Sequence, residues 1–208
     1  MNLTEFTSRT AASRAAVSYL TDALVIQLQT HSHAMLMTCG GSSPIECLTY
    51  LSSADLPWDQ IAVTLTDERL VPVSDDQSNE KMVRNTLLKG KAAQATFVPL
   101  SHKNLANIEQ SKPVSLVGMG EDGHFMSIFT DNPQLATLLD PKEPAGCFDI
   151  STSASPLPRR TANLSLLLCS SSLLMLAFGD QKRRLLESPQ GLPVAQLLAS
   201  DIEVYWAP

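Results

Sequence analysis

The stretch Gly118-Met119-Gly120-Glu121-Asp122-Gly123-His124 crowds three glycines, two carboxylates and one histidine into a single short segment. Glycines let a backbone turn sharply and come close to a ligand. Histidine is the side chain best suited to exchanging protons near neutral pH. The apolar run ahead of it, Val114-Ser115-Leu116-Val117, reads as a buried strand. A loop at the carboxyl end of a strand in an α/β sheet is where such proteins hold ligands. The chemistry this suggests is proton transfer beside a held polar molecule. The plainer alternative is a tight Gly-Asp-Gly turn with a solvated histidine.

Two upstream loops share the design. Gly40-Gly41-Ser42-Ser43 joins a strand to a helix start, where exposed N–H groups and the helix dipole suit a phosphate. It has neither the lysine and spacing of a P-loop nor a G-x-G-x-x-G pattern, so nucleotide binding is not indicated. A structural turn with a capping serine fits it equally well. Asp67-Glu68-Arg69 follows another apolar run and could contact a polar ligand or orient a base. Read alone, it is first a surface ion pair.

The remaining cationic candidates are Arg159, Arg160 and Lys182. Arg159 follows a Pro-x-Pro corner that restricts its backbone. Lys182 falls in a first helical turn, where the dipole disfavours a cation and a bound phosphate would offset the penalty. Arg183 and Arg184 beside it also allow a simple exposed basic face. His31 and His33 suit a helix C-terminus better than a metal pair. Cys39 adjoins the glycine loop without a marked base and reads as a packed thiol. No set of histidines, cysteines and carboxylates has metal-ligand spacing, so the metal expectation is none.

These loops need a scaffold. Thr4 to about Thr30 reads as one amphipathic helix, with Val17, Leu20, Leu24 and Leu28 at helical spacing. Ala34–Thr38 is a strand, and the helix after it should start with Ser43 as N-cap, Pro44 in first position and Glu46 three residues beyond the cap. Ile61–Thr66 is a strand, Ser78–Leu88 a helix closed by Gly90, and Ala95–Val98 a weaker strand. The chain from the glycine-rich loop to Gly146 reads as irregular. Phe148–Ser151 is a candidate strand, and Thr161–Cys169 stays open between helix and strand. Leu173–Phe178 is a strand, Asp180 caps a helix through Glu187, a short helix spans Pro193–Ala199, and Ile202–Trp206 is a last strand. The alternation predicts an α/β fold with a mostly parallel sheet flanked by helices. Ser151–Pro158 reads as a functional loop, and otherwise as the best boundary candidate.

At 208 residues and 44% hydrophobic, residues 1–208 suit a single domain. The net charge of -6 argues against nucleic acid, while a local cluster of cations could still take an anion. The four cysteines, Cys39, Cys47, Cys147 and Cys169, lack C-x-x-C spacing, which suits a reducing cytoplasm. No signal-peptide pattern and no apolar run near the ~20 residues of a membrane span are visible, so no membrane partner is expected.

In order, the segments resemble the 6-phosphogluconolactonase family. Cys39-Gly40-Gly41-Ser42-Ser43-Pro44 is similar to its S-G-G-S-T-P loop. Leu56-Pro57-Trp58-Asp59 and Thr66-Asp67-Glu68-Arg69-Leu70-Val71-Pro72 resemble its L-P-W-[DS] and [GD]-D-E-R-x-V-P segments, with Ser78-Asn79 at the usual distance behind. Gly118 through Ser127 resembles G-M-G-E-D-G-H-T-A-S, and Ile128-Phe129 its L-F continuation. Pro158-Arg159-Arg160-Thr161 resembles P-x-R-[IV]-[ST], Gly179-Asp180-Gln181-Lys182 resembles G-x-x-K, and Leu192-Pro193 the closing L-P-[AV]. Phe125 and Met126 depart from the small residues usual after the histidine and could reshape the pocket. Glu80 and Lys81 replace an aromatic and an arginine. Ser101–Lys112 is short, which puts one usual helix in question.

The resemblance implies the fold shared with glucosamine-6-phosphate deaminase and ribose-5-phosphate isomerase. It implies hydrolysis of 6-phosphoglucono-δ-lactone to 6-phosphogluconate in the oxidative pentose phosphate pathway. The partner is then a small sugar-phosphate lactone, in a cytoplasmic monomer or small homo-oligomer, with cofactors none. His124 would be the general base, Asp67 would orient His124 or the sugar hydroxyls, and Arg69 would contact substrate or hold Asp67. Gly40, Gly41, Ser42, Ser43, Arg159 and Lys182 would bind the phosphate, and Gly120, Glu121, Asp122 and Gly123 would also bind substrate, backbone N–H groups of the glycine loops taking the oxyanion. Whether Arg159 or Arg160 faces the site stays open. The nearest enzyme alternative, the deaminase, usually carries M-D-E at Thr66–Arg69 and F-N-E-P at Ser127–Thr130, and this chain has neither. A catalytically silent sugar-phosphate-sensing domain is the alternative from another class.

Overall fold

The computed structural model describes residues 1–208. In chain order the elements begin with β1 (Asn2–Glu5), α1 (Arg9–Thr30), β2 (Ala34–Thr38) and α2 (Ile45–Leu51). β3 (Ile61–Leu65), β4 (Asp67–Arg69), α3 (Asn79–Thr86), β5 (Thr96–Phe97), α4 (Leu105–Ser111) and β6 (Val114–Gly118) follow. The rest comprises α5 (Leu135–Leu139), β7 (Cys147–Thr152), β8 (Ser155–Ala162), α6 (Leu164–Leu168), β9 (Ser172–Phe178), α7 (Asp180–Glu187), α8 (Val194–Leu198) and β10 (Glu203–Ala207).

Seven strands form one all-parallel sheet in the order β1-β10-β9-β6-β2-β3-β5. Its middle strands are buried and mostly apolar, with Thr38, Thr64 and Ser115 among them, because helices cover both faces. All of β2 is buried, and alternate residues serve opposite layers: Met35 and Met37 join one core cluster, Ala34 and Leu36 the other. The strand order reverses at β2, with β3 on one side and β6 on the other. That reversal leaves a crevice beyond the carboxyl ends of β2 and β6, where an open α/β sheet holds ligands.

The mostly parallel sheet flanked by helices is as expected, with local corrections. The helix expected from Thr4 starts at Arg9, capped by the Ser8 hydroxyl, which accepts from the Ala11 N–H. The residues before it form β1, which pairs in parallel with β10 at the other end of the chain, a partner no local pattern reveals. Ser43 does not cap α2. Pro44 occupies that position in a helical conformation, and Glu46 is drawn off by the hydroxyls of Thr10, Ser13 and Tyr50. Gly179, not Asp180, is the N-cap of α7. The short 101–112 segment does carry a helix, α4, and the stretch taken as irregular carries α5.

The largest difference lies at residues 151–158. They are no open loop but part of a hairpin, and β7, β8 and β4 form a second, antiparallel sheet in the order β4-β8-β7. Proline is tolerated in β8 because Pro156 and Pro158 lie outside its pairing with β4, which covers Arg159–Thr161, and beside the register irregularity at Ile150–Thr152 of β7. The ambiguous 161–169 segment divides: β8 ends at Ala162, and the Asn163 side chain caps α6.

Candidate active site

A cleft of about 220 Å³ opens at the β2–β6 crevice, with the second sheet as its far wall. His124 stands in it. Its Nδ1 lies 2.5 Å from Asp122 Oδ1, which also accepts the His124 backbone N–H at 3.2 Å. A carboxylate only accepts, so Nδ1 carries a proton and Nε2 is left as the nitrogen without a protein partner. Burial pushes the Asp122 carboxyl up, but the charge and hydrogen bonds of His124 outweigh it and hold it below the usual range. The imidazole also rests on the Phe129 ring, centroids 4.4 Å apart. The loop closes this tightly because residue 120 is glycine: a Cβ there would sit 2.2 Å from His124 Cε1 and 2.5 Å from Asp122 Oδ1.

The antiparallel pairing of β4 with β8 builds the opposite wall. Arg69 stands directly across from Arg159, and Glu68 across from Arg160. Successive side chains on a strand face opposite ways, so the sequence neighbours divide. Arg159 lines the cleft, whereas Arg160 is clamped by Asp149 through contacts of 2.6 and 2.8 Å. Glu68 turns to the start of α3 and accepts the N–H groups of Asn79 and Glu80, both at 2.7 Å. Asp67 is buried and accepts from the Ser127 hydroxyl at 2.6 Å and Thr66 at 3.0 Å, with Arg159 Nη1 3.9 Å away.

Two guanidiniums face each other there. Like charges directly opposite on paired strands are unfavourable. Burial and the Arg69 charge pull the Arg159 guanidinium below its usual range, and Asp67 opposes them. Arg69 Nη1 donates to the Gln77 carbonyl, but its buried Nε has no partner. An anion in the cleft would offset the two facing charges.

Lys182 enters from the first turn of α7, beside the end of β9, and its Nζ donates to Ser43 Oγ at 3.4 Å. Burial lowers its pKa, with Glu121 acting the other way. The structure thus gathers Gly40, Gly41, Ser42, Ser43, Asp67, Arg69, Gly120, His124, Arg159 and Lys182 around one cleft. Glu121 lines an adjoining hollow with Lys182, Ser42 and Ser43. Asp122 stands behind His124, and Gly123 packs on Leu192, so neither forms the cleft wall. Asp67 does not touch His124; the carboxylate that orients the imidazole is Asp122.

Sequence reasoning missed two participants. Asn79 lines the cleft, and its only signal was its place after Ser78 in the resemblance. Ser127 links Asp67 to Arg159, whose Nη1 reaches its hydroxyl at 3.4 Å. Met126, expected to reshape the pocket, does line the cleft, with its backbone in the left-handed region at φ 53°. Cys39 is buried and its thiol is pushed up to about 12, chiefly by burial, which makes it a packed group. No group of three or more His, Cys, Asp or Glu side chains stands close enough together to hold a metal ion.

A parallel sheet with a polar, cation-lined crevice at its reversal, holding an oriented histidine, defines an α/β protein built to act on a small anionic molecule. Residues 7–206 match the family described as "Glucosamine-6-phosphate isomerases/6-phosphogluconolactonase". A 6-phosphogluconolactonase of Caulobacter vibrioides is 36% identical over 226 residues, covering 100% of this chain and 97% of that protein. The crystal structure of a 6-phosphogluconolactonase from Shewanella baltica superposes with a TM-score of 0.87 at 26% identity, covering 100% of this chain and 98% of that one. A monomeric glucosamine-6-phosphate deaminase shares the fold at a TM-score of 0.76 and 16% identity, over 100% of this chain and 97% of that one. The chain belongs to the 6-phosphogluconolactonase family. No helix is long and apolar enough to cross a membrane.

Proposed function

We propose that this protein hydrolyses 6-phosphoglucono-δ-lactone to 6-phosphogluconate, the lactone step of the oxidative pentose phosphate pathway. The observation that carries the reading is the Asp122–His124 pair opening onto a cleft that also holds Lys182, Arg69 and Arg159. A lactone is an activated ester, so one positioned base and a polarised carbonyl suffice. His124 Nε2 takes a proton from water as the water oxygen attacks C1. The C1–O bond to the ring oxygen then breaks, and the imidazolium returns the proton to that oxygen. Asp122 holds the imidazole orientation and offsets the charge formed on it.

Lys182, the Ser42 and Ser43 hydroxyls and Arg159 hold the 6-phosphate, so binding energy is drawn from a point remote from the reacting carbon. Arg69, which lines the cleft opposite Arg159, is placed to meet oxygen charge at the substrate. Asp67 acts on Arg159 and on Ser127, or on a sugar hydroxyl, rather than on the base.

The test is proton release from freshly prepared lactone in a pH-stat, with spontaneous hydrolysis subtracted. Wild-type protein should accelerate release, and His124→Ala should lose ~100-fold or more of the catalysed rate while keeping its fold, the scale of a lost general base. A folded His124→Ala protein with wild-type turnover would refute the role.

A further inference from the structure

Asn79 is 2% exposed, yet its side chain lines the cleft. Its amide orientation follows from chemistry: one amide atom lies 2.8 Å from the Asp67 carbonyl oxygen, which can only accept, so that atom is Nδ2. Oδ1 therefore points the other way, over Gly40, where a Cβ would come within 1.9 Å of it. The backbone N–H of Asn79 is engaged by Glu68, which fixes the root of the side chain as well. Yet Oδ1 accepts no hydrogen bond from the protein. Oδ1 is not sealed from solvent, so a held acceptor without a protein donor stands open to the cleft, where water or a ligand hydroxyl can donate to it.

The candidate donors can be sorted by chemistry. A phosphate dianion and a lactone carbonyl only accept, so neither satisfies Oδ1, and both are repelled from it. A sugar hydroxyl donates. We propose that Asn79 is a specificity-determining residue that reads one hydroxyl of the sugar chain. This rests on the function proposed above and names the part of the substrate that the cations do not recognise. A site built to hydrogen-bond a hydroxyl discriminates against analogues lacking it.

The experiment is calorimetric binding of 6-phosphogluconate and its 2-, 3- and 4-deoxy analogues to wild-type protein, Asn79→Ala and Asn79→Ser. The serine variant keeps a polar group at the start of α3 should the alanine variant fold poorly, and its shorter side chain does not reach the Oδ1 position. Wild-type protein should bind one deoxy analogue about tenfold more weakly than the parent, the worth of one such hydrogen bond. Each variant should lose about tenfold on the parent and bind that same analogue as wild-type protein does. Equal losses on all four ligands would make Asn79 merely structural and overturn the proposal, as would no loss on any. Turnover of the lactone by wild-type protein is scored separately and bears only on the proposed function.

Discussion

Asp122→Asn tests the assignment of His124 most directly. The substitution keeps the side-chain shape and removes the charge that faces Nδ1 at 2.5 Å. A hydrogen bond to a charged group contributes ~1.5–3 kcal/mol when well shielded. The Asp122 side chain is 58% exposed, so solvent screening reduces this to ~1–2 kcal/mol. If that interaction strengthens as the imidazolium forms, kcat should fall about 5- to 30-fold. The Asn amide can also turn its NH₂ toward Nδ1. That would favour the tautomer with the proton on Nε2 and so add to the loss. KM should change little, because neither atom contacts the phosphate cations. The assay is pH-stat proton release at saturating fresh lactone, with circular dichroism melting as the fold control. A kcat within twofold of wild type would refute the dyad. So would a loss confined to KM, which would place Asp122 in binding.

Arg159→Ala and Lys182→Ala should each weaken calorimetric binding of 6-phosphogluconate by ~1.5–3 kcal/mol, while turnover of unphosphorylated gluconolactone barely changes; equal losses on both compounds would remove the phosphate role. Arg160→Ala should leave that binding within about twofold, because Asp149 already holds its guanidinium. Burial lowers the Lys182 pKa, so the ammonium is lost at a lower pH than for an ordinary lysine, and 6-phosphogluconate affinity should be intact below that value and decline as pH rises through it; Lys182→Met should flatten the alkaline decline, and a wild-type affinity unchanged up to the normal lysine range would contradict the reasoning. Gly40→Ala drives a methyl into the fixed Asn79 amide and should cost ~1–3 kcal/mol of stability by denaturant melts, with the Gly40→Ala, Asn79→Gly double variant recovering part of it.

Local chemistry was enough to find the loops. Apolar runs broken by Gly40-Gly41, Asp67-Glu68-Arg69 and Gly118–His124 mark strand ends by residue type alone, and parallel strands put their carboxyl ends on one edge. That is why Gly40, Asp67 and His124, widely spaced along the chain, could be set on one edge before any distance was known, whereas Arg159 and Lys182 were joined to them only by the family resemblance. The partners within the site were not legible. The sequence distance from His124 to Asp122 is short and to Asp67 long, but nothing in composition says which carboxylate meets Nδ1; the tight Gly120 turn decides it. Arg159 and Arg160 have identical side chains, and only the pairing of β8 with β4 and β7 sends one to the cleft and the other to Asp149. Asn79 looked like a helix-start residue until the fold laid it against Gly40 and the Asp67 carbonyl. Residue type and spacing act through short-range periodicity and turn chemistry, so they determine elements and the edge on which the loops gather. Hydrogen-bond partners depend on strand register and on contacts between distant segments, and only the tertiary structure sets those.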